Sequence, residues 1–186
     1  MQEQAELANA LFEKGRFNEA LEKYRLMAES GSVEAQLRLG WMYQTGHGAK
    51  ADLNEARRWY LKAAESNSPE AQFYLGKLYR AEKLYQQAMN CFHKSAAQNY
   101  MPSVYQLGVM YELGEGVNID KDKAHKYYNQ AAQMGHLRAQ RDIAVMMIKG
   151  HIGFKQIPRG LLMLPRLVYI SLTLALKDSE SDRIRW

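Results

Sequence analysis

The chain has little of what catalytic and secreted proteins usually rely on. There is one cysteine, Cys91, in 186 residues. No disulfide framework can be built from it, which fits a reducing, cytoplasmic compartment. The histidines (His47, His93, His125, His136 and His151) are scattered. No two stand three or four apart and none neighbours Cys91, so the spacing of a zinc site is missing. Gly46-His47-Gly48 and Gly114-Glu115-Gly116 lack the Gly-Lys-Ser/Thr that a phosphate loop needs. Asp120 and Asp122 read as a helix cap and its neighbour, and no nucleophile has a base beside it in sequence. The expectation is a protein that is not an enzyme and holds no cofactor. The start, Met1-Gln2-Glu3-Gln4, lacks the charged-then-apolar order of a secretory leader.

The net charge is +5, unevenly placed. Residues 1–34 hold seven acids against four bases, and the rest holds twenty-one bases against thirteen acids. Those bases are spread over helix faces and not massed in one block, so nucleic acid is not an expected partner.

What the chain does have is a repeated phrase. It reads Ala35, Leu39-Gly40, Tyr43, Gly46, Gly48, Asp52, Ala56, Trp59-Tyr60, Ala63-Ala64. It returns as Ser103, Leu107-Gly108, Tyr111, Gly114, Gly116, Asp120, Ala124, Tyr127-Tyr128, Ala131-Ala132. Anchored four residues before each Leu-Gly or its equivalent, the units begin at Glu3, Ala35, Ala71, Ser103 and Ala139, in steps of 32, 36, 32 and 36 residues. Such a period marks a repeat architecture. The short units lack four residues, all between their two helices: Leu75-Gly76 and Tyr79 lead directly to Ala88 and Phe92.

Each unit predicts two helices. Leu39 and Tyr43, four apart, share a face. Gly40 and Gly108 let a partner helix come close, at about 1 kcal/mol of helix propensity each. Gly46-His47-Gly48 can stop the first helix, with His47 a solvated turn residue. Asp52 and Asp120 stand where N-caps would. Ala56, Trp59-Tyr60 and Ala63 form one apolar stripe, which predicts that Trp59 and Tyr60 are core residues. Cys91 falls at the Trp59 position and is expected to be a buried small hydrophobe.

These residues resemble the Sel1-like repeat, a relative of the tetratricopeptide repeat. The match is closest over residues 35–67 and 103–135, where Asp120, Lys123-Ala124, Tyr127-Tyr128 and Gly135 follow the family pattern. It extends over residues 3–155, and by register alone to 175. The resemblance implies an all-α fold, a right-handed α-solenoid of about five antiparallel helix pairs. Residues 1–158 would form the solenoid and 159–186 a degenerate terminal repeat. The resemblance also implies a non-enzymatic adaptor or scaffold for other proteins.

In tetratricopeptide-type solenoids the first helices line the concave face. The register then puts Leu37, Trp41, Phe73, Lys77, Arg80, Tyr105, Val109 and Arg141 on that face. Aromatics beside arginine are typical of interface hot spots. The expected occupant is an extended or helical segment of a partner protein with apolar anchors and an acidic group. The alternative is that Trp41 and Tyr105 are covered by neighbouring units. The chaperone-tail clamp of some relatives is not expected, because Ala5 stands where a lysine would be required.

Residues 160–176 are apolar on nearly every side. A terminal helix of a solenoid should be a polar cap, and Pro165 should kink or divide this one. Leu161, Leu162, Leu164, Arg166, Leu167, Tyr169 and Ile170 therefore stand as a second docking segment. Three readings stay open: burial within the chain or a homodimer, docking on a partner protein, or contact with a membrane. The run is shorter than the roughly 20 residues of a spanning helix and contains Arg166. The membrane reading would make the protein a scaffold peripheral to a membrane's inner face.

Overall fold

The computed structural model describes residues 2–149, and every regular element among them is an α-helix. The helices are α1 (Gln2–Glu13), α2 (Phe17–Glu29), α3 (Val33–Thr45), α4 (Leu53–Glu65), α5 (Pro69–Ala81), α6 (Tyr85–Ala96), α7 (Met101–Leu113), α8 (Lys121–Gln133) and α9 (Leu137–Ile148). They fall into two compact units divided between Gln98 and Asn99. The boundary expected at 158/159 and the apolar segment 160–176 lie outside the described residues.

In the first unit α1/α2, α3/α4 and α5/α6 pack as pairs, and α2 and α4 each also pack on the helix that follows. In the second unit α7 pairs with α8, and α8 packs on α9. Three of these four pairs close through one contact. Gly40, Gly76 and Gly108 of the first helices lie against Tyr60, Phe92 and Tyr128 of the second. A Cβ added to any of the three would sit 2.4–2.6 Å from a ring carbon. These glycines need no unusual backbone angle, so the constraint is volume. The three rings are fully buried, as are Leu39 and Leu107 beside the glycines. Trp59 and Tyr60 are core residues, 2% and 0% exposed. Cys91, by contrast, is only half-buried at the edge of the cluster around Tyr60 and Leu75, where burial pushes its thiol up.

The four-residue difference between long and short units lies in the turn within the pair, as the spacing predicts. In the long turns Gly46 and Gly114 end α3 and α7 in the left-handed region at φ 78° and 72°. Asp52 and Asp120 then cap α4 and α8 through side-chain oxygens. The short turns end instead on Arg16 and Leu84, which give no side-chain cap. Both kinds close on equivalent carbonyls: Asp52 N–H donates to Tyr43 O, Asp120 to Tyr111, Leu84 to Tyr79 and Arg16 to Leu11, all at 2.8–2.9 Å. The longer turn thus reaches the same closure and adds an aspartate cap, worth about 1 kcal/mol.

Between pairs, a left-handed residue comes just before the N-cap of the next helix: Gly31 before Ser32, Asn67 before Ser68, Gly135 before His136. The Ser32 and Ser68 hydroxyls accept from Ala35 N and Ala71 N, and His136 Nδ1 does the same for Ala139 N at 3.2 Å.

Substituting Gly40 by alanine should gain about 1 kcal/mol of helix propensity and lose more by forcing a methyl into the Tyr60 ring, since overpacking costs about 1–3 kcal/mol. The expected net effect is a lower urea midpoint with an unchanged slope, measured by circular dichroism. An equal or higher midpoint would contradict the contact.

Candidate partner-binding cleft

The second unit carries a cleft of about 260 Å³ between α7 and α9, floored by α8. Tyr105, Val109, Glu112 and Leu113 of α7 line one side and Arg141, Asp142 and Val145 of α9 the other, with Tyr128 between them. These α7 residues recur every three or four positions, and 141 and 145 repeat that spacing on α9, so each row is one helix face. The register predicts this placement for Tyr105, Val109 and Arg141. It does not give the bonds of Tyr105 to Asp142 or of Tyr128 to Glu112, whose partners come from other helices.

Two tyrosines organise the cleft. The Tyr105 hydroxyl donates to Asp142 Oδ2 at 2.9 Å, and its ring stacks on His136 at 4.2 Å. The Tyr128 hydroxyl donates to Glu112 Oε2 at 2.6 Å. Burial, and then the carboxylates that accept from them, pushes both phenols up, so they remain protonated donors at any ordinary pH. Arg141 is not the open guanidinium that the register suggests. It donates Nε to Asp142 Oδ1 at 2.9 Å and holds the same oxygen with a terminal nitrogen at 2.8 Å. An acidic partner group would have to compete with Asp142 for it. The expectation of an acid-seeking Arg141 is therefore corrected: its charge is met within the cleft.

In the first unit the predicted residues are less uniform. Leu37 is 8% exposed and belongs to the core around Tyr60 and Leu75, so its assignment to a partner-facing strip is corrected. Its position on α3 turns it under α4 and α5 and away from solvent. Trp41 is half-buried, with its ring stacked on His47 at 4.7 Å and edge-on to Phe12 at 5.6 Å. His47 is correspondingly not a solvated turn residue. It packs among Phe12, Phe17 and Trp41, and its Nδ1 lies 2.7 Å from the Thr45 hydroxyl. Phe73 meets Tyr74 edge-on at 5.3 Å, with the exposed Lys77 ammonium 5.6 Å from its centroid. Arg80 is half-buried on the same helix.

No group of three or more histidine, cysteine, aspartate or glutamate side chains is gathered for a metal among the described residues. None of their helices is long and apolar enough to cross a membrane.

The repeat unit seen here is the one captured by the Sel1 repeat model, which matches residues 33–68, 69–100 and 102–136, that is α3/α4, α5/α6 and α7/α8. The chain belongs to the Sel1 repeat family. It is similar to a crystallised Sel1 repeat protein from Oxalobacter formigenes, with 29% identity and a TM-score of 0.72 over 84% of this chain and 71% of that one. It is also similar to a protective antigen of uropathogenic Escherichia coli that displays the Sel1-like fold, with 26% identity and a TM-score of 0.76 over 90% of this chain and 38% of that one. An uncharacterized protein of Neisseria meningitidis serogroup B shares 27% identity over 125 residues, 67% of this chain. The chain spans 26% of the length of that relative. Sel1 repeats are typically non-catalytic modules that mediate protein–protein interaction.

Burial first, and then the nearby Arg138 charge, pushes His136 down to about 4, so it is neutral when it caps α9. The unfolded residue titrates near 6.5. Between these values the unfolded chain binds a proton that the folded one excludes, so stability falls as pH drops from about 6.5 toward 4. His93 and His125 are lowered by burial and act in the same direction. The thermal midpoint of this Sel1 repeat protein should therefore fall between pH 7.5 and pH 5. His136→Asn keeps a capping acceptor without the titration and should show a smaller fall. An identical fall would contradict the role of His136.

Proposed function

We propose that this Sel1 repeat protein is a cytoplasmic, non-enzymatic adaptor that holds a segment of another protein in the α7–α9 cleft. The observation that supports this most is the cleft itself. Half-buried Val109 and Val145, with Leu113 at 56% exposure, offer apolar contact beside hydrogen-bonding groups fixed by the two tyrosines. Pre-ordered side chains of this kind lose little freedom on binding, which favours affinity. In the first unit Trp41, Phe73, Lys77 and Arg80, which the repeat register puts on the first helices, would offer the same partner class further aromatic and basic contacts.

A second reading rests on the apolar residues 160–176, including Leu161, Leu162, Leu164, Leu167, Tyr169 and Ile170. So large an apolar run suits a partner, a second copy or a lipid surface. In that case the protein is a scaffold attached through this segment.

The test is a detergent-free pull-down from the native host comparing wild type with Val109→Lys/Leu113→Lys, both on the cleft wall. A folded double variant should lose a specific protein that wild type captures. An unchanged set of captured proteins would overturn the cleft reading. Flotation with liposomes, with and without residues 159–186, then tests attachment through the apolar run.

A further inference from the structure

We infer that the α7–α9 cleft is a seat for a basic side chain, lysine or arginine, of the partner protein, with Glu112 as the recognising group. This rests on the reading of the cleft as a partner site and adds the chemistry of the occupant.

The argument starts from a comparison between repeats. In two pairs the hydroxyl of the ring that covers the glycine donates to the residue four positions after that glycine. Tyr60 donates to Gln44 Oε1 at 3.1 Å, and Tyr128 donates to Glu112 Oε2 at 2.6 Å. In the α1/α2 pair Tyr24 donates to Asn9 Oδ1 at 2.5 Å. A neutral amide thus satisfies the buried hydroxyl twice in this chain. A carboxylate is not required for that purpose, and its negative charge at Glu112 is surplus to the packing.

Among the described residues the charge is also unmet. Asp142, the other acid of the cleft, is paired with Arg141. The Tyr128 hydroxyl donates to Glu112, and no lysine or arginine among the described residues lies within ion-pairing distance of it. The charged groups lining the cleft are Glu112, Asp142 and Arg141, a net of one negative charge. The walls next to Glu112 are Val109, Leu113 and Val145, together with the Tyr105 and Tyr128 rings. An aliphatic stem can lie along such walls while its cationic head reaches a carboxylate and a tyrosine face. The volume, about 260 Å³, lies below the usual range of small-molecule pockets and suits one long side chain.

The experiment is a titration of the full chain, followed by methyl NMR at Val109, Leu113 and Val145. The probes are the N-acetyl methylamides of lysine, arginine, norleucine and glutamate. The lysine and arginine amides should move these methyl signals and bind more tightly than norleucine amide by a factor of roughly two to ten, as a partly exposed ion pair allows. The preference should weaken with added salt. Glu112→Gln keeps an acceptor for Tyr128, as Gln44 does for Tyr60, so the fold should stand and the basic preference should vanish. Equal binding of norleucine or glutamate amide would overturn the inference, as would a basic preference that survives in Glu112→Gln. Its failure is distinguishable from failure of the adaptor reading. A cleft that loses a host partner in Val109→Lys/Leu113→Lys yet shows no basic preference is a partner site of other chemistry.

Discussion

Three of the four helix pairs among the described residues depend on an aromatic ring seated on a glycine. Tyr60 on Gly40, Phe92 on Gly76 and Tyr128 on Gly108 bring paired helices closer than any side chain would permit. The closeness buries Leu39, Leu75 and Leu107, each next to its glycine, to 2% exposure or less. Long and short turns return to equivalent carbonyls, at Leu11, Tyr43, Tyr79 and Tyr111. A helix of twelve or thirteen residues is marginal alone, so these helices owe their persistence to that packing.

The same ring carries the argument from packing to function. Its hydroxyl emerges on the face of the first helix and must find an acceptor there. Gln44 and Glu112 supply one, and Phe92, which has no hydroxyl, faces no such demand. The chemistry of that face is therefore partly set by the core behind it. Where the acceptor is an amide the arrangement is structural. Where it is a carboxylate with no cation beside it among the described residues, as at Glu112, the charge is what we propose a partner meets.

Features that depend on near neighbours in sequence were legible there. The repeat, the glycine turns, the Asp52 and Asp120 caps and the burial of Trp59 and Tyr60 all follow from spacing of three or four residues. Features that depend on a neighbouring helix were not. Leu37 lies on the predicted strip, yet α4 and α5 cover it. His47 reads as a solvated turn residue until Phe12 and Phe17 of the preceding pair are placed beside it. Arg141 reads as a free cation because Asp142, adjacent in sequence, gives no sign of folding back to meet it. Glu112 and Gln44 share one register position, four after the glycine, yet the tyrosine that bonds each comes from another helix. Of the eight residues of the predicted strip, Tyr105, Val109 and Arg141 line the cleft and Leu37 is lost to packing.

The most direct measurement of the central claim is a double-mutant cycle on Gly76→Ala and Phe92→Leu, read by chemical denaturation. Leucine lacks the ring atoms that a Cβ at residue 76 would meet, so the second change should relieve the first. The account predicts that the double variant is more stable than the sum of the single effects by about 1 kcal/mol or more. Additivity within about 0.5 kcal/mol would contradict it, and the ring-on-glycine contact would then not be what closes the pairs.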